Sequence, residues 1–350
     1  MTSELRRLFD LDLTFLLENG DPVETVSIGS TSFAPLEVLQ QFEDRYDAEY
    51  RDWLASFFRP QQEENLDEIL ALHSNRGRFE ELSDAVARGQ VAPFVGSGLS
   101  VPSGIPTWAG LLRGAVSETT CEPRELDALL ASGHFEEAAA LLEAKSNQNL
   151  MDELLEHALK VANIAYVEGP VRLLPAIFPK LAITTNLDSV LEFCYQFESG
   201  SVPEVLSGAG VAEYPRLNDD RTRFILKLHG DSRKPASRVL FPGEYEAAYG
   251  PRGSVRSALA NLYLNKRMLF LGCSLGSDRT VATLRQVHEN EPSMARHFAL
   301  LQRPADEQTR VAREHQLTEI KIHPIWYDGS HDDAHVALLY GLYLAKEAGA

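Results

Sequence analysis

The chain has 350 residues and a mass of 38.9 kDa, enough for one large α/β domain or two modest ones and too much for a single small module. Hydrophobic residues make up 44% and charged residues 24%, the balance of a globular chain and not of a disordered one. The net charge of −18, from 51 acids against 33 bases, argues against nucleic acid as a direct partner, because duplex binding is driven by Lys and Arg neutralising phosphates.

In chain order, residues 1–90 hold 19 acids, 8 bases and no lysine. Leu11 to Leu17 reads as a strand, with a hairpin signal at Asn19-Gly20-Asp21 and a second strand at Val23 to Ile28. A helix over about 35–58 places Leu36, Leu39, Phe42, Tyr46, Tyr50, Trp53, Leu54 and Phe57 on one face. Another follows over about 63–89, with a break near Asn75-Arg76-Gly77. This segment is either a solvated helical cover or an appendage for assembly or docking, and the boundary is placed at 75/76.

From Val91 the pattern changes. Short apolar runs, Val91–Val95, Leu181–Thr185, Phe224–Leu228, Met268–Leu271, His297–Leu301 and Ile320–Ile325, alternate with helix-length stretches. Continuous apolarity marks strands buried on both faces. The expected fold is therefore α/β: a Rossmann-like, doubly wound, mainly parallel sheet with an N-terminal α+β appendage over 1–75 and a nucleotide-binding domain over 76–350. The wholly helical stretch at about 123–164 reads as an insertion.

In such a sheet ligands bind beyond the carboxyl ends of the strands, so the residues after each run matter most. Gly96-Ser97-Gly98-Leu99-Ser100 follows the first run and suits either a phosphate cradle or a tight turn. Val101 stands where a dehydrogenase fingerprint needs its third glycine, which disfavours hydride transfer. Asn186-Leu187-Asp188 follows the second run and reads as a pocket pair or as an Asx turn capping the next helix. His229-Gly230-Asp231 follows the third, and Gly272-Cys273-Ser274-Leu275-Gly276-Ser277-Asp278 the fourth, with Ser274 and Asp278 suited to sugar hydroxyls. His331 and His335 have metal-compatible spacing, but no third ligand is evident and Ser330 explains them as a helix start.

Together, VGSGLSVPSGIPTW (95–108), TTNLDSVLE (184–192), LKLHGD (226–231) and LFLGCSLGSD (269–278) resemble the sirtuin-like family, in its prokaryotic NAD-consuming branch. The resemblance spans about residues 91–340. It implies a phosphate loop at Gly96, Ser97, Gly98 and Ser100, continuing to Pro106 and Trp108. It places the family's asparagine–aspartate pair at Asn186 and Asp188, after Thr185, and its catalytic base at His229. Further NAD⁺ contacts are expected at Gly272, Ser274 and Asp278. Thr107-Trp108 stands where the deacylases carry an acid, a phenylalanine and an arginine. After His229 the chain has SRKPASRVLFPGEYEAAYG in place of their four-cysteine zinc module. Cys121, Cys194 and Cys273 are scattered and form no CxxC, so no zinc module and no metal are expected.

The resemblance implies an NAD⁺ hydrolase of the antiphage type, releasing nicotinamide and ADP-ribose. Asn186 would orient water or a ribose hydroxyl, Asp188 would accept from the carboxamide, and His229 would act as general base. Alternatives are an NAD⁺-dependent deacylase or ADP-ribosyltransferase, and a non-catalytic subunit that senses NAD⁺ or ADP-ribose. Latency, homo-oligomer assembly and a partner such as a HerA-type ATPase or an Argonaute-like protein are expected. No apolar run approaches the roughly 18 residues of a membrane span and no signal-peptide stretch is seen, so a cytoplasmic location is expected.

Overall fold

A computed structural model describes residues 2–13, 26–33, 35–161, 167–217, 222–276 and 279–349. It divides into two compact units, Met1–Glu68 and Ile69–Ala350. The break falls ahead of the expected boundary at residue 75, and the residues between explain why. Asn75 is fully buried at the start of the helix Asn75–Ala87. Its amide donates to Trp326 O at 2.7 Å and Ile69 O at 2.6 Å, and accepts from Trp326 N at 3.0 Å. One side chain thus satisfies both peptide groups of Trp326, a residue on an edge strand of the second unit.

The first unit packs aromatic rings between helices. Phe9, on the helix Thr2–Leu13, meets Tyr46, Tyr50 and Trp53 of the helix Glu43–Trp53 at ring-centroid distances of 5.4–5.7 Å. Arg6 lies over Tyr50 and pairs with Asp47 at 2.7 Å. The strand expected from Leu11 is helical as far as Leu13, because Leu5 and Phe9, four apart, are buried and set a helical period. The Asn19-Gly20 turn lies outside the described residues. A short hairpin is present instead at β1 (Val26–Ile28) and β2 (Thr31–Phe33), turning at Gly29 with φ 66°.

The second unit is built on seven parallel strands: β3 (Val91–Val95), β4 (Leu181–Thr184), β5 (Glu204–Ser207), β6 (Phe224–Lys227), β7 (Arg267–Leu271), β8 (His297–Gln302) and β9 (Ile322–Tyr327). Their order across the sheet is β5-β6-β4-β3-β7-β8-β9. Both parities of the central strands are buried. Phe94, Ile183, Leu226 and Phe270 pack with Leu259, Leu262 and Leu284 of two helices, while Val95, Ala182, Ile225 and Leu271, of the other parity, are equally enclosed. A sheet covered on both faces is what the continuous apolar runs required. The strand that pattern reading missed is β5, a half-exposed edge strand with Glu204 and Ser207 and no apolar run.

After β3 the chain moves to β4 on one side and later returns to β7 on the other, so the carboxyl end of β3 is the switch point where a crevice opens. The helices Pro123–Ala131, Phe135–Ala144 and Gln148–Ala158 form the insertion between β3 and β4. Among the described residues no helix is long and apolar enough to cross a membrane.

Replacing Asn75 by alanine should strand two buried peptide groups of β9 and lower stability by about 2–3 kcal/mol. Urea denaturation of the full chain reads this directly, and a loss within 0.5 kcal/mol would contradict the assigned role.

Candidate active site

Register brings the expected catalytic residues together. Thr184 on β4 pairs with Lys227 on β6, and neighbouring strands lie about 4.8 Å apart. Asn186 and His229, each two residues beyond that pair, therefore leave the sheet side by side. The loops stay in contact past the strands: Leu228 N donates to Thr184 O at 2.8 Å and Ser232 N to Leu187 O at 3.2 Å.

Lys227 fixes this meeting point, a role that reading the sequence missed. Its side chain is fully buried, and its ammonium donates to Asp188 O at 2.6 Å, Glu192 Oε1 at 2.8 Å and Asp231 Oδ2 at 3.4 Å. A buried cation needs several close partners of opposite polarity, and those partners come from both loops. Burial alone would lower the lysine pKa, yet Glu192 and Asp231 hold it above the ordinary value. Asp231 is drawn well below the usual carboxylate range despite burial, chiefly by Arg233 and Lys227. The available signal was a lone lysine within an otherwise apolar run.

Two buried polar atoms at this junction lack a hydrogen-bond partner. Asn186 donates through Nδ2 to Ser100 Oγ at 3.1 Å, but its Oδ1 has no hydrogen-bond partner. His229 meets Tyr249 Oη through Nε2 at 2.7 Å, but its Nδ1 has none. Tyr245 and Tyr249, one helical turn apart on the helix Pro242–Tyr249, both set their rings edge-on to the imidazole. Burial pushes the His229 pKa down to about 3, so the ring is neutral near pH 7.

Asp188 has a capping role alongside any ligand role. Its Oδ1 accepts from Val190 N at 2.9 Å, at the start of the helix Val190–Ser199. Burial raises its pKa, opposed by Val190, Lys227 and the Ser100 hydroxyl. Ser100, expected to contact phosphate, is instead enclosed behind Asn186 and Asp188 and borders no cavity described below.

The glycines act first between loops. Gly96 N donates to Leu271 O at 2.8 Å and Gly98 N to Gly272 O at 3.0 Å, so both N–H groups expected to face pyrophosphate are occupied. A Cβ on Gly96 would lie 2.4 Å from Gly272 O, and one on Gly272 (φ 63°) 2.7 Å from Leu99 N. Only glycine lets these loops cross so closely. Behind them, His335 accepts from Gly272 N at 3.2 Å through Nε2 and donates from Nδ1 to His331 O at 2.7 Å. With both nitrogens of His335 engaged, the pair braces the glycine loop, and Ser330 Oγ accepts from Asp333 N as a helix start should.

A cavity of about 600 Å³ opens at this end of the sheet. It is bordered by Gly96, Ser97, Gly98 and Trp108, by Thr185 and His229, and by Gly272 and Ser274. Arg279, Arg313, Gln302 and Tyr327 also border it, and none of these four stood out in the sequence. Asn186, Asp188 and Pro106 border a second, small cavity of about 20 Å³, shared with Ser97 and Trp108. That space holds about one water. Asp278 lies outside the described residues.

Residues 180–325 match the family model described as a SIR2-like domain. The matched range includes Asn186, Asp188, Lys227, His229 and the Gly272 loop and starts after the Gly96 loop. The chain is also similar to proteins named NAD(+) hydrolase ThsA. It is 25% identical over 210 residues to that of Cytobacillus dafuensis, covering 60% of this chain and 40% of the relative. For Enterococcus faecium the values are 25% over 219 residues, 61% and 44%, and for Bacillus cereus (strain MSX-D12) 23% over 233 residues, 64% and 46%. The chain thus spans less than half the length of these relatives.

The buried histidines predict acid lability. His229, His297 and His335 are held near a pKa of about 3, and His323 near about 4, chiefly by burial. Unfolding restores an ordinary value of about 6.5, so the unfolded chain binds more protons below that pH. Stability should be full above pH 6.5 and fall as pH drops toward 4, by up to about 1.4 kcal/mol per pH unit per group. Urea midpoints at pH 7.5 and pH 5 measure the effect, and equal midpoints would contradict it.

Proposed function

We propose that the chain hydrolyses NAD⁺ to nicotinamide and ADP-ribose. The observation that carries the reading is a pair of buried polar atoms without hydrogen-bond partners, Asn186 Oδ1 and His229 Nδ1, beyond adjacent strand ends, with His229 bordering the cavity of about 600 Å³ and Asn186 the small cavity that shares Ser97 and Trp108 with it. Each unmet buried polar group costs about 1–3 kcal/mol, a cost that a bound ligand or water would offset. The names of the relatives support the same chemistry.

The bond from ribose C1′ to the pyridinium nitrogen breaks with its electron pair going to the ring, so nicotinamide leaves neutral and needs no general acid. The ribose develops oxocarbenium character, as in glycoside hydrolysis. Water adds at C1′ and gives up one proton. Asn186 Oδ1 holds the water or a ribose hydroxyl, and neutral His229, in the tautomer whose Nε2–H donates to Tyr249 Oη, accepts the proton at Nδ1. Asp188 accepts from the carboxamide, and Ser97 and Trp108 border both cavities where the dinucleotide crosses between them.

The 20 Å³ space beside Asn186 and Asp188 is too small for a pyridine ring. This supports a latent enzyme whose ring pocket opens on a trigger, consistent with the harm of constant NAD⁺ loss. We assign the trigger's reception or self-assembly to the acidic N-terminal unit, and antiphage NAD⁺ depletion as the role. A peptide-directed deacylase is less well supported, because a tight loop follows His229 where a zinc module would project. Gly230 there has φ 80°, and a Cβ on it would lie 2.0 Å from Ser237 O.

Nicotinamide release from NAD⁺ by the triggered full chain should fall about 10²–10⁴-fold in His229→Ala and comparably in Asn186→Ala. Wild-type release only with an acylated protein present, or equal release by the variants, would overturn the reading. A chain of residues 69–350 should lose the response to trigger or the assembly state of the full chain, and unchanged size and turnover would remove the role given to the N-terminal unit.

A further inference from the structure

The helical insertion is tied to the sheet by two arginines in different settings. Arg238 is buried in the loop after His229 and pairs with Asp152 of the helix Gln148–Ala158 at 2.6 Å and with Glu244 at 3.3 Å. Arg279 opens the helix after the Gly272 loop and grips Glu136 of the helix Phe135–Ala144 by three hydrogen bonds of 3.0–3.2 Å. Its remaining nitrogen lies 3.6 Å from Glu246. Unlike Arg238, Arg279 borders the large cavity, as does Phe135 beside Glu136.

A dinucleotide brings two negative charges into this cavity. The Gly96 and Gly98 N–H groups are engaged with carbonyls, and Thr107-Trp108 supplies no arginine to the phosphate loop. Arg279 is a cation at the cavity wall, yet two carboxylates stand on it and would repel an incoming pyrophosphate. A half-exposed guanidinium exchanges one bidentate anion for another at little cost, because its fork suits carboxylate and phosphate alike. Resting on the nucleotide reading, we propose that Arg279 is a pyrophosphate-binding residue that the bound dinucleotide takes over from Glu136. Filling the cavity then releases the helix Phe135–Ala144 from the sheet, while Arg238 keeps the insertion anchored through Asp152. Nucleotide binding and the position of the insertion are thereby coupled through one side chain.

The test uses the full chain and ADP-ribose, which is not turned over, with adenosine as the uncharged control. Calorimetry should show ADP-ribose binding about three- to fivefold tighter in Glu136→Gln, where the competing carboxylate is gone. It should be about tenfold or more weaker in Arg279→Ala, with adenosine unaffected in both. Should Arg279→Ala fail to fold, Arg279→Lys, which keeps the charge without the fork, should weaken ADP-ribose binding by a smaller factor. Hydrogen exchange over residues 135–144 should rise on adding ADP-ribose to wild type and be high already in Glu136→Gln. Unchanged or weaker ADP-ribose binding in Glu136→Gln, or unchanged binding in Arg279→Ala, overturns the exchange while leaving the nucleotide cavity standing. Failure of wild type to bind ADP-ribose at all overturns the cavity reading itself.

Discussion

The site depends on one buried ammonium. Lys227 sits where β6 ends and is satisfied by Leu187 O and Asp188 O from the β4 loop, Glu192 from the helix beyond it and Asp231 from its own loop. Removing one partner of such a cluster leaves an unpaired charge in a low-dielectric interior, which costs several kcal/mol. The two loops that carry Asn186 and His229 are thus held to each other by electrostatics, where the sheet's own hydrogen bonds have run out. Parallel register sets which residues meet, and the ammonium keeps them meeting.

Around that junction the polar groups fall into a bracing set and an open set. Ser100 supports Asn186, Tyr249 supports His229, Val190 N engages Asp188, and His335 supports the Gly272 loop. In Asn186 and His229 the brace uses only one end of a bifunctional side chain. Asn186 Oδ1 and His229 Nδ1 are the ends left over. A preorganised site is expected to look like this, since groups that await a reacting molecule cannot also be satisfied by the protein.

Much of the sheet could be read from the chain because strands buried on both faces must be apolar throughout. Six of the seven strands of the large sheet announced themselves in that way, and β5 did not, because an edge strand with Glu204 half in solvent carries no such run. The candidate pair was legible because Asn186 and His229 follow strands, where ligands bind in this architecture. Their supports were not. Lys227, Tyr249 and His335 act across 20 to 63 residues of chain, and only register and packing show what they touch. The glycines were legible as glycines but not in their first purpose, which is to let the β3 and β7 loops cross. Leu11–Leu13 went the other way: alternating Leu and Asp mimics a strand, and the burial of Leu5 and Phe9 decides for helix.

The account stands or falls on whether the two unpartnered atoms face one nucleotide. A crystal structure of the triggered His229→Ala chain with NAD⁺ bound tests this most directly. The expected result is a dinucleotide spanning both cavities, with the nicotinamide ribose within hydrogen-bonding distance of Asn186 Oδ1, directly or through one water, and its C1′ beside the space left by the imidazole. A dinucleotide bound with its nicotinamide ribose away from Asn186, or elsewhere on the molecule, would contradict it.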